Sequence, residues 1–462
     1  MERLESGHPR LDAILHGGLP ANGINLIIGT PGSGKTILSQ QYVFHNATEE
    51  RPALYLSTVS EPFDKIIRYG HSLNFFEVGA VGRRVIYHDL GEVLIAEGLA
   101  GALDRLDDLM KEVRPGLVVV DSFRALRPFA ADEAEFRRLL HGLAGRLTAV
   151  AASSFWVGEY EPDRGPHEEP EFAVADAIIA LSIKRSSERE HRVLRILKLR
   201  GSGFAAGEHS YRITPDGLDV FPRLADPLDA SVYALPTARE SSGVPALDEL
   251  LADGFWPGAS TLVCGPSGVG KTLMGLHFIF GGASRGQSGI IATLQEDATQ
   301  LARVAAGFGW RLDAPEVHVM SRSPVDVNID EWVYELVDLA ERVRARRVMV
   351  DSLVDLALAA GDEGRFREWI YSLTHRFARS GVSVLMTLEV PELFEIARIS
   401  DNGMSHLSDN VLLLQYLRRN GHLERVLTVL KTRASRHDPV MRHYRITPEG
   451  IALVNGHPAA AE

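Results

Sequence analysis

The sequence is written twice. Ser6-Gly7-His8-Pro9-Arg10-Leu11-Asp12 returns as Ser242-Gly243-Val244-Pro245-Ala246-Leu247-Asp248, and a glycine-rich run beginning at Gly29 returns at Gly265 with the same offset. Val118-Val119-Val120-Asp121-Ser122 returns as Val348-Met349-Val350-Asp351-Ser352 at a slightly shorter offset. Two closing segments, Leu197-Lys198-Leu199-Arg200 and Tyr211-Arg212-Ile213-Thr214-Pro215, return together as Leu430-Lys431-Thr432-Arg433 and Tyr444-Arg445-Ile446-Thr447-Pro448. Landmarks that keep their order and nearly their spacing imply two homologous domains, because a repeated unit folds the same way wherever it occurs. The expected domains are residues 1–224 and 225–462, joined through residues 222–240, where Pro222, Pro227 and Pro236 interrupt any periodicity.

Each half alternates short β-branched runs with longer helical stretches. Residues 24–28, 53–56 and 117–120 read as strands, and 97–112 as a helix. That alternation predicts an α/β fold in which a mainly parallel twisted sheet carries helices on both faces. Hydrophobic residues make up 45% of the chain, yet no apolar run approaches the roughly 20 residues that cross a bilayer. The N-terminus lacks a basic and then apolar secretion signal, so the cytoplasm is the expected compartment. A net charge of −12 argues against a broadly basic surface for duplex DNA or anionic lipid. The one cysteine, Cys264, ends an apolar run and is expected in the core, and the histidines show no ligand spacing, so no structural metal is expected.

Gly29-Thr30-Pro31-Gly32-Ser33-Gly34-Lys35-Thr36 follows a strand and precedes a helix, the context that a phosphate-binding GxxxxGKT loop requires. Gly265-Pro266-Ser267-Gly268-Val269-Gly270-Lys271-Thr272 repeats it. The glycines let successive backbone N–H groups turn toward phosphates, and the helix N-terminus adds the positive end of its dipole. Lys35 and Lys271 are then expected to reach the β- and γ-phosphates of ATP, and the Thr36 and Thr272 hydroxyls to ligate Mg²⁺. Asp121 and Asp351, each closing an apolar strand, are expected to hold the water shell of that Mg²⁺. A plain turn-capping role is the competing reading for both aspartates.

Taken together, these residues resemble the KaiC family, the two-domain branch of the RecA-like ATPases, over nearly the whole chain. The resemblance rests on the Ser-Gly-x-Pro-x-Leu-Asp segments, both P-loops, both Asp-Ser strands, Lys198-Leu199-Arg200-Gly201-Ser202 and Leu412-Leu413-Leu414-Gln415-Tyr416. It implies two tandem RecA-like P-loop NTPase domains, assembled as a homohexameric ring with ATP held between neighbouring subunits. In such proteins the N-terminal ring hydrolyses ATP slowly, while the C-terminal ring of clock members also phosphorylates itself; a KaiB-like protein is an implied partner. The family's glutamate pair after the second strand, whose first member polarises the attacking water, is matched here by Ser60-Glu61 and Gln295-Glu296. Glu61 and Glu296 are therefore the candidate catalytic carboxylates, and the first carboxylate is missing from both domains. The family's Lys-x-Arg-x-x-x-His segment, which reaches a neighbour's γ-phosphate, is matched by Lys431, Arg433 and His437, and by Lys198 and Arg200 with Phe204 in place of the histidine. Ser405, followed by His406 where clock members carry threonine, and Ser400 are the candidate phosphoacceptors. Only residues 451–462 follow the last repeat landmark, so the longer partner-binding extension of clock members is expected to be missing.

Two other readings stay open at this level. A RecA-like recombination or unwinding motor would need a DNA-facing loop rich in basic and aromatic residues; the basic runs at residues 342–347 and Arg418-Arg419 are candidates, but the acidic balance makes nucleic acid an unexpected partner. An ATP-dependent assembly scaffold with little turnover draws its support from the missing first glutamates.

Overall fold

The computed structural model describes residues 2–59, 63–161, 169–186, 189–224, 238–325, 327–391, 408–419 and 421–454. It divides into two compact units, Met1–Arg223 and Leu224–Glu462, and residues 225–237 of the proline-bearing join lie outside the described residues.

In the first unit nine strands form one sheet in the order Gly217–Phe221, His209–Thr214, Arg189–Leu199, Ala177–Ser186, Ile24–Gly29, Ser153–Glu159, Leu117–Asp121, Ala53–Ser57 and Val85–Asp89. The six from Ala177–Ser186 onward are parallel, and the three at the other edge are antiparallel. The second unit has the same topology: Val317–Ser321, Gly289–Thr293, Arg347–Asp351, Ser383–Glu389, Ser260–Gly265, Asn410–Arg419, His422–Thr432, Arg442–Thr447 and Gly450–Leu453. The mainly parallel sheet follows from the buried β-branched runs. Pleating sends Ile24, Leu26 and Ile28 into one apolar cluster and Ile27 into the cluster on the opposite face. With both faces covered, each fully buried Leu or Ile contributes roughly 1.5–3 kcal/mol. The helix expected at 97–112 is longer, Gly91–Val113, with Gly98 outside helical geometry. Cys264 is fully buried, and burial pushes its thiol up to about 12.

The repeated landmarks have structural roles. In each Ser-Gly-x-Pro-x-Leu-Asp segment the aspartate accepts the serine's backbone N–H, Ser6 to Asp12 at 2.8 Å and Ser242 to Asp248 at 2.6 Å, and the proline opens a short helix. The closing tyrosines prop the glycine-rich loops from behind: Tyr211 donates to the Ser33 carbonyl at 2.5 Å and Tyr444 to the Val269 carbonyl at 2.6 Å. The antiparallel edge thus has a function in positioning, because it carries these hydroxyls to the loops.

Candidate nucleotide site

Each glycine-rich loop joins the end of a central strand to a helix, Ile24–Gly29 to Lys35–Asn46 and Ser260–Gly265 to Lys271–Ala283. The helices are entered through Gly34 at φ 91° and Gly270 at φ 111°, left-handed values that a side chain would strain. The lysines fold back over their own loops: Lys35 Nζ donates to the Thr30 carbonyl at 3.0 Å and Lys271 Nζ to the Pro266 carbonyl at 2.9 Å. Burial lowers the proton affinity of Lys35, while Glu159 and then Asp121 act in the opposite direction. The Thr36 hydroxyl donates to Asp121 Oδ2 at 2.8 Å, and that of Thr272 to Asp351 Oδ2 at 2.7 Å. In both units, therefore, the residues singled out for Mg²⁺ lie against one another at the foot of the loop. A hydroxyl and a carboxylate beside a cradle of N–H groups form a hard-oxygen donor set that suits Mg²⁺ with a phosphate. Tyr55 adds a hydrogen bond to Asp121 at 2.8 Å, and Thr387 one to Asp351. The peptide bond after each aspartate is cis.

Glu61 lies outside the described residues. Glu296 stands just beyond the strand Gly289–Thr293, with Oε2 buried and without a hydrogen-bond partner among the described residues. Burial first, then Asp351 and Asp297, raises its proton affinity above that of an ordinary glutamate. Gln295 is tied by its amide to Ser352 at 3.2 Å and Asp355 at 2.9 Å.

The basic segments are not brought to the loop of their own unit. Lys198 pairs with Ile178, which pairs with Leu26, and Leu199 pairs with Ala177, opposite Asn25. Lys198 and Arg200 therefore sit toward the start of the strand whose far end carries Gly29, roughly 10 Å or more away at 3.3 Å per residue. The second unit repeats this through Lys431, Val411 and Leu262. Lys198 donates to the carbonyls of Phe172 and Ala173, and Lys431 to that of Ser408. Arg200 meets Asp176 at 3.3 Å and Arg433 meets Asp409 at 3.6 Å, with both arginine side chains more than half exposed. His437 Nδ1 lies 3.2 Å from the Thr432 hydroxyl. Phe204 packs against the core of the first unit.

A family model described as "ATPase: KaiC" matches residues 4–225 and again 240–457. The chain belongs to the KaiC family. It is similar to the circadian clock oscillator protein KaiC of Picosynechococcus sp., 28% identical over 96% of this chain and 88% of that protein. It is also similar to the circadian clock protein KaiC3 of Synechocystis sp., 29% identical over 98% and 92%, and to the KaiC of Synechococcus elongatus, 27% identical over 95% and 86%. Membership of the KaiC family supports ATP binding and hydrolysis in general terms. Ser400 and Ser405 lie outside the described residues.

Three features of this KaiC-family site escape sequence reading. Glu389, at the end of the strand beside the second loop, lies 3.3 Å from Lys271 Nζ, and Glu159 holds the matching register beside Gly29. Gln41 accepts the Leu218 N–H at 3.0 Å where His277, its counterpart in the second repeat, accepts that of Ile451 at 2.9 Å. Asp355 meets Gln295. Gln41 with His277, and Glu159 with Glu389, carried a usable signal in their equivalent positions in the repeat; Asp355 carried none. Of the basic run at 342–347, Arg347 is buried and bonded to the carbonyls of Ser241 and Phe278, an internal use that leaves it no DNA-facing role. No described helix is long and apolar enough to cross a membrane.

Proposed function

We propose that the chain is a ring-forming ATPase that binds ATP at both P-loops, Gly29–Thr36 and Gly265–Thr272, and hydrolyses it at subunit contacts in a cytoplasmic signalling or timing device. The observation that carries this reading is the paired geometry at the foot of each loop, Thr36 on Asp121 and Thr272 on Asp351. Thr36 with Asp121 and Thr272 with Asp351 would hold Mg²⁺, which when bound neutralises charge developing on the phosphates. Lys35 and Lys271 would leave their loop carbonyls for the β- and γ-phosphates. Glu296, held next to Asp351, would take the proton of the attacking water, and Glu61 would have that part in the N-terminal domain. Lys198 and Arg200, and Lys431, Arg433 and His437, would serve the loop of a neighbouring subunit, since their register turns them away from their own.

The reading extends to phosphate transfer onto Ser405 or Ser400 in the C-terminal domain and to a KaiB-like protein partner, both on the strength of the clock proteins it is similar to. The alternative is a scaffold that assembles on ATP with little turnover, favoured by Ser60 and Gln295 where the family carries glutamate. One experiment separates them: incubation with Mg²⁺ and γ-labelled ATP, following free phosphate and protein-bound label in the parent, Lys35→Ala and Lys271→Ala. Phosphate release reduced by either substitution is the expected result, and label on a serine that disappears in Lys271→Ala adds the autokinase. Assembly on ATP without either signal would replace hydrolysis with the scaffold.

A further inference from the structure

The C-terminal site departs from its family at Gln295, and a carboxylate that the N-terminal repeat lacks sits in contact with it. Asp351 ends a strand, Ser352 stands at the N-cap position of the helix Leu353–Ala360 without a side-chain capping bond, and Asp355 lies in the first turn of that helix, where the dipole favours a carboxylate. The Ser352 hydroxyl donates to Asp355 Oδ2 at 2.6 Å, and Gln295 Nε2 reaches both, Asp355 Oδ2 at 2.9 Å and Ser352 Oγ at 3.2 Å. A carboxylate only accepts, and the serine's hydrogen is already given to it, so both partners demand N–H from Gln295. The amide orientation is thereby fixed. Both hydrogens face Asp355 and Ser352, while Oε1 is turned away and has no hydrogen-bond partner among the described residues.

We propose that Asp355 is a positioning residue for hydrolysis in the C-terminal domain: with Ser352 it holds the Gln295 amide so that Oε1 accepts a hydrogen bond from the attacking water. This rests on the ATPase reading of the same site. Gln295 cannot take a proton at neutral pH, but a fixed amide carbonyl can orient water, as a glutamine does in other P-loop enzymes. In the step served, the water oxygen bonds to the γ-phosphorus as the bond to the β–γ bridging oxygen breaks. ADP leaves with that oxygen, and the water's proton passes to the neighbouring carboxylate, Glu296. The pair belongs to one domain only. At the position equivalent to Asp355 the N-terminal domain carries Ala125, which can hold nothing in this way.

Gln295 and Asp355 also fit each other. Glutamate at position 295 would bring a second carboxylate within about 3 Å of Asp355, a repulsion that removing Asp355 relieves. This gives a test that a merely structural role for Asp355 would fail. Phosphate release that depends on Lys271, taken as the difference from Lys271→Ala, is measured for the parent, Asp355→Ala, Asp355→Asn, Gln295→Glu and the Gln295→Glu/Asp355→Ala pair, with ATP analogue binding followed alongside. Asp355→Ala is expected to lower kcat about 10- to 100-fold with KM changed less than about threefold. Asp355→Asn, which keeps one acceptor, falls between. The double variant is expected to exceed both of its single parents. An Asp355→Ala enzyme with unchanged kcat, or one that loses as much in the Gln295→Glu background, overturns the inference while leaving the ATPase reading intact. A parent with no Lys271-dependent release removes both, and an Asp355→Ala chain that no longer binds the analogue assigns Asp355 to folding instead.

Discussion

At the scale of single residues, a cation in each loop has several competitors. Lys271 is buried and shared between the Pro266 carbonyl and the Glu389 carboxylate. A nucleotide that takes Lys271 must displace Glu389, and its phosphates must approach that negative charge. Glu389→Gln is therefore expected to tighten binding of ADP and of a non-hydrolysable ATP analogue by about three- to thirtyfold, the range of one partly screened charge interaction. Glu159→Gln should do less, because Glu159 acts on Lys35 without an ion pair between them among those described. Titration calorimetry decides: affinity that is unchanged or weaker in Glu389→Gln would mean that this carboxylate does not compete for the lysine. The loop residues themselves were readable from sequence, since wrapping backbone around a phosphate admits few residue types in one order. Asp355 was not, because a single carboxylate in a helix's first turn has no pattern; Glu389 was marked only by its repeat partner Glu159, and its meaning comes from the lysine that the fold sets beside it.

At the scale of elements, the repeat lets one domain act as the control for the other. Gln41 and His277 hold the same place on the helix after each loop, and each accepts a backbone N–H from the last strand of its sheet. Only His277 can titrate. Burial pushes it down to about 4, and its Nε2 must stay unprotonated to accept from Ile451. Unfolded histidine takes up a proton near its ordinary value of 6.5, so below that pH the unfolded state binds more protons than the folded one. Stability from this group is thus complete above about pH 6.5 and is lost as the pH falls toward 4. Between pH 7 and pH 5 the parent is expected to lose about 2 kcal/mol more than His277→Gln. Urea unfolding at the two pH values checks this, and equal losses in both chains would show that His277 does not carry the acid sensitivity. The parallel strands at 24–28, 53–56 and 117–120 were legible from their buried β-branched runs. The edge hairpins were legible only as repeat landmarks, because burial along them keeps no period of two, four of the five residues of Gly217–Phe221 being buried, and their purpose, Tyr211 and Tyr444 behind the loops, is a long-range contact.

At the scale of the whole molecule, register decides where the basic segments can work. Strands that carry Lys198 and Lys431 run antiparallel to the neighbours they pair with, and so deliver these lysines to the end of the sheet opposite the loops. On the proposed reading, in which the cations serve a neighbour's loop, a subunit with its loop at one end of the sheet and its cations at the other calls for a head-to-tail contact, the kind that closes into a ring where its rotation permits. The consequence is testable by mixing. Lys271→Ala subunits have an impaired loop and intact cations, and Arg433→Ala subunits the reverse; each alone should lose the C-terminal share of hydrolysis, because a cation supplied in trans is worth roughly 10³- to 10⁵-fold. In an exchanged one-to-one mixture, about a quarter of the contacts join a sound loop to a sound arginine segment, as follows for any head-to-tail ring. Phosphate release is accordingly expected to rise to about a quarter of the parent's C-terminal share. A mixture no more active than the mean of its two components would place Arg433 and Lys271 in the service of the same subunit, and the route for that would have to run around the sheet rather than across a contact.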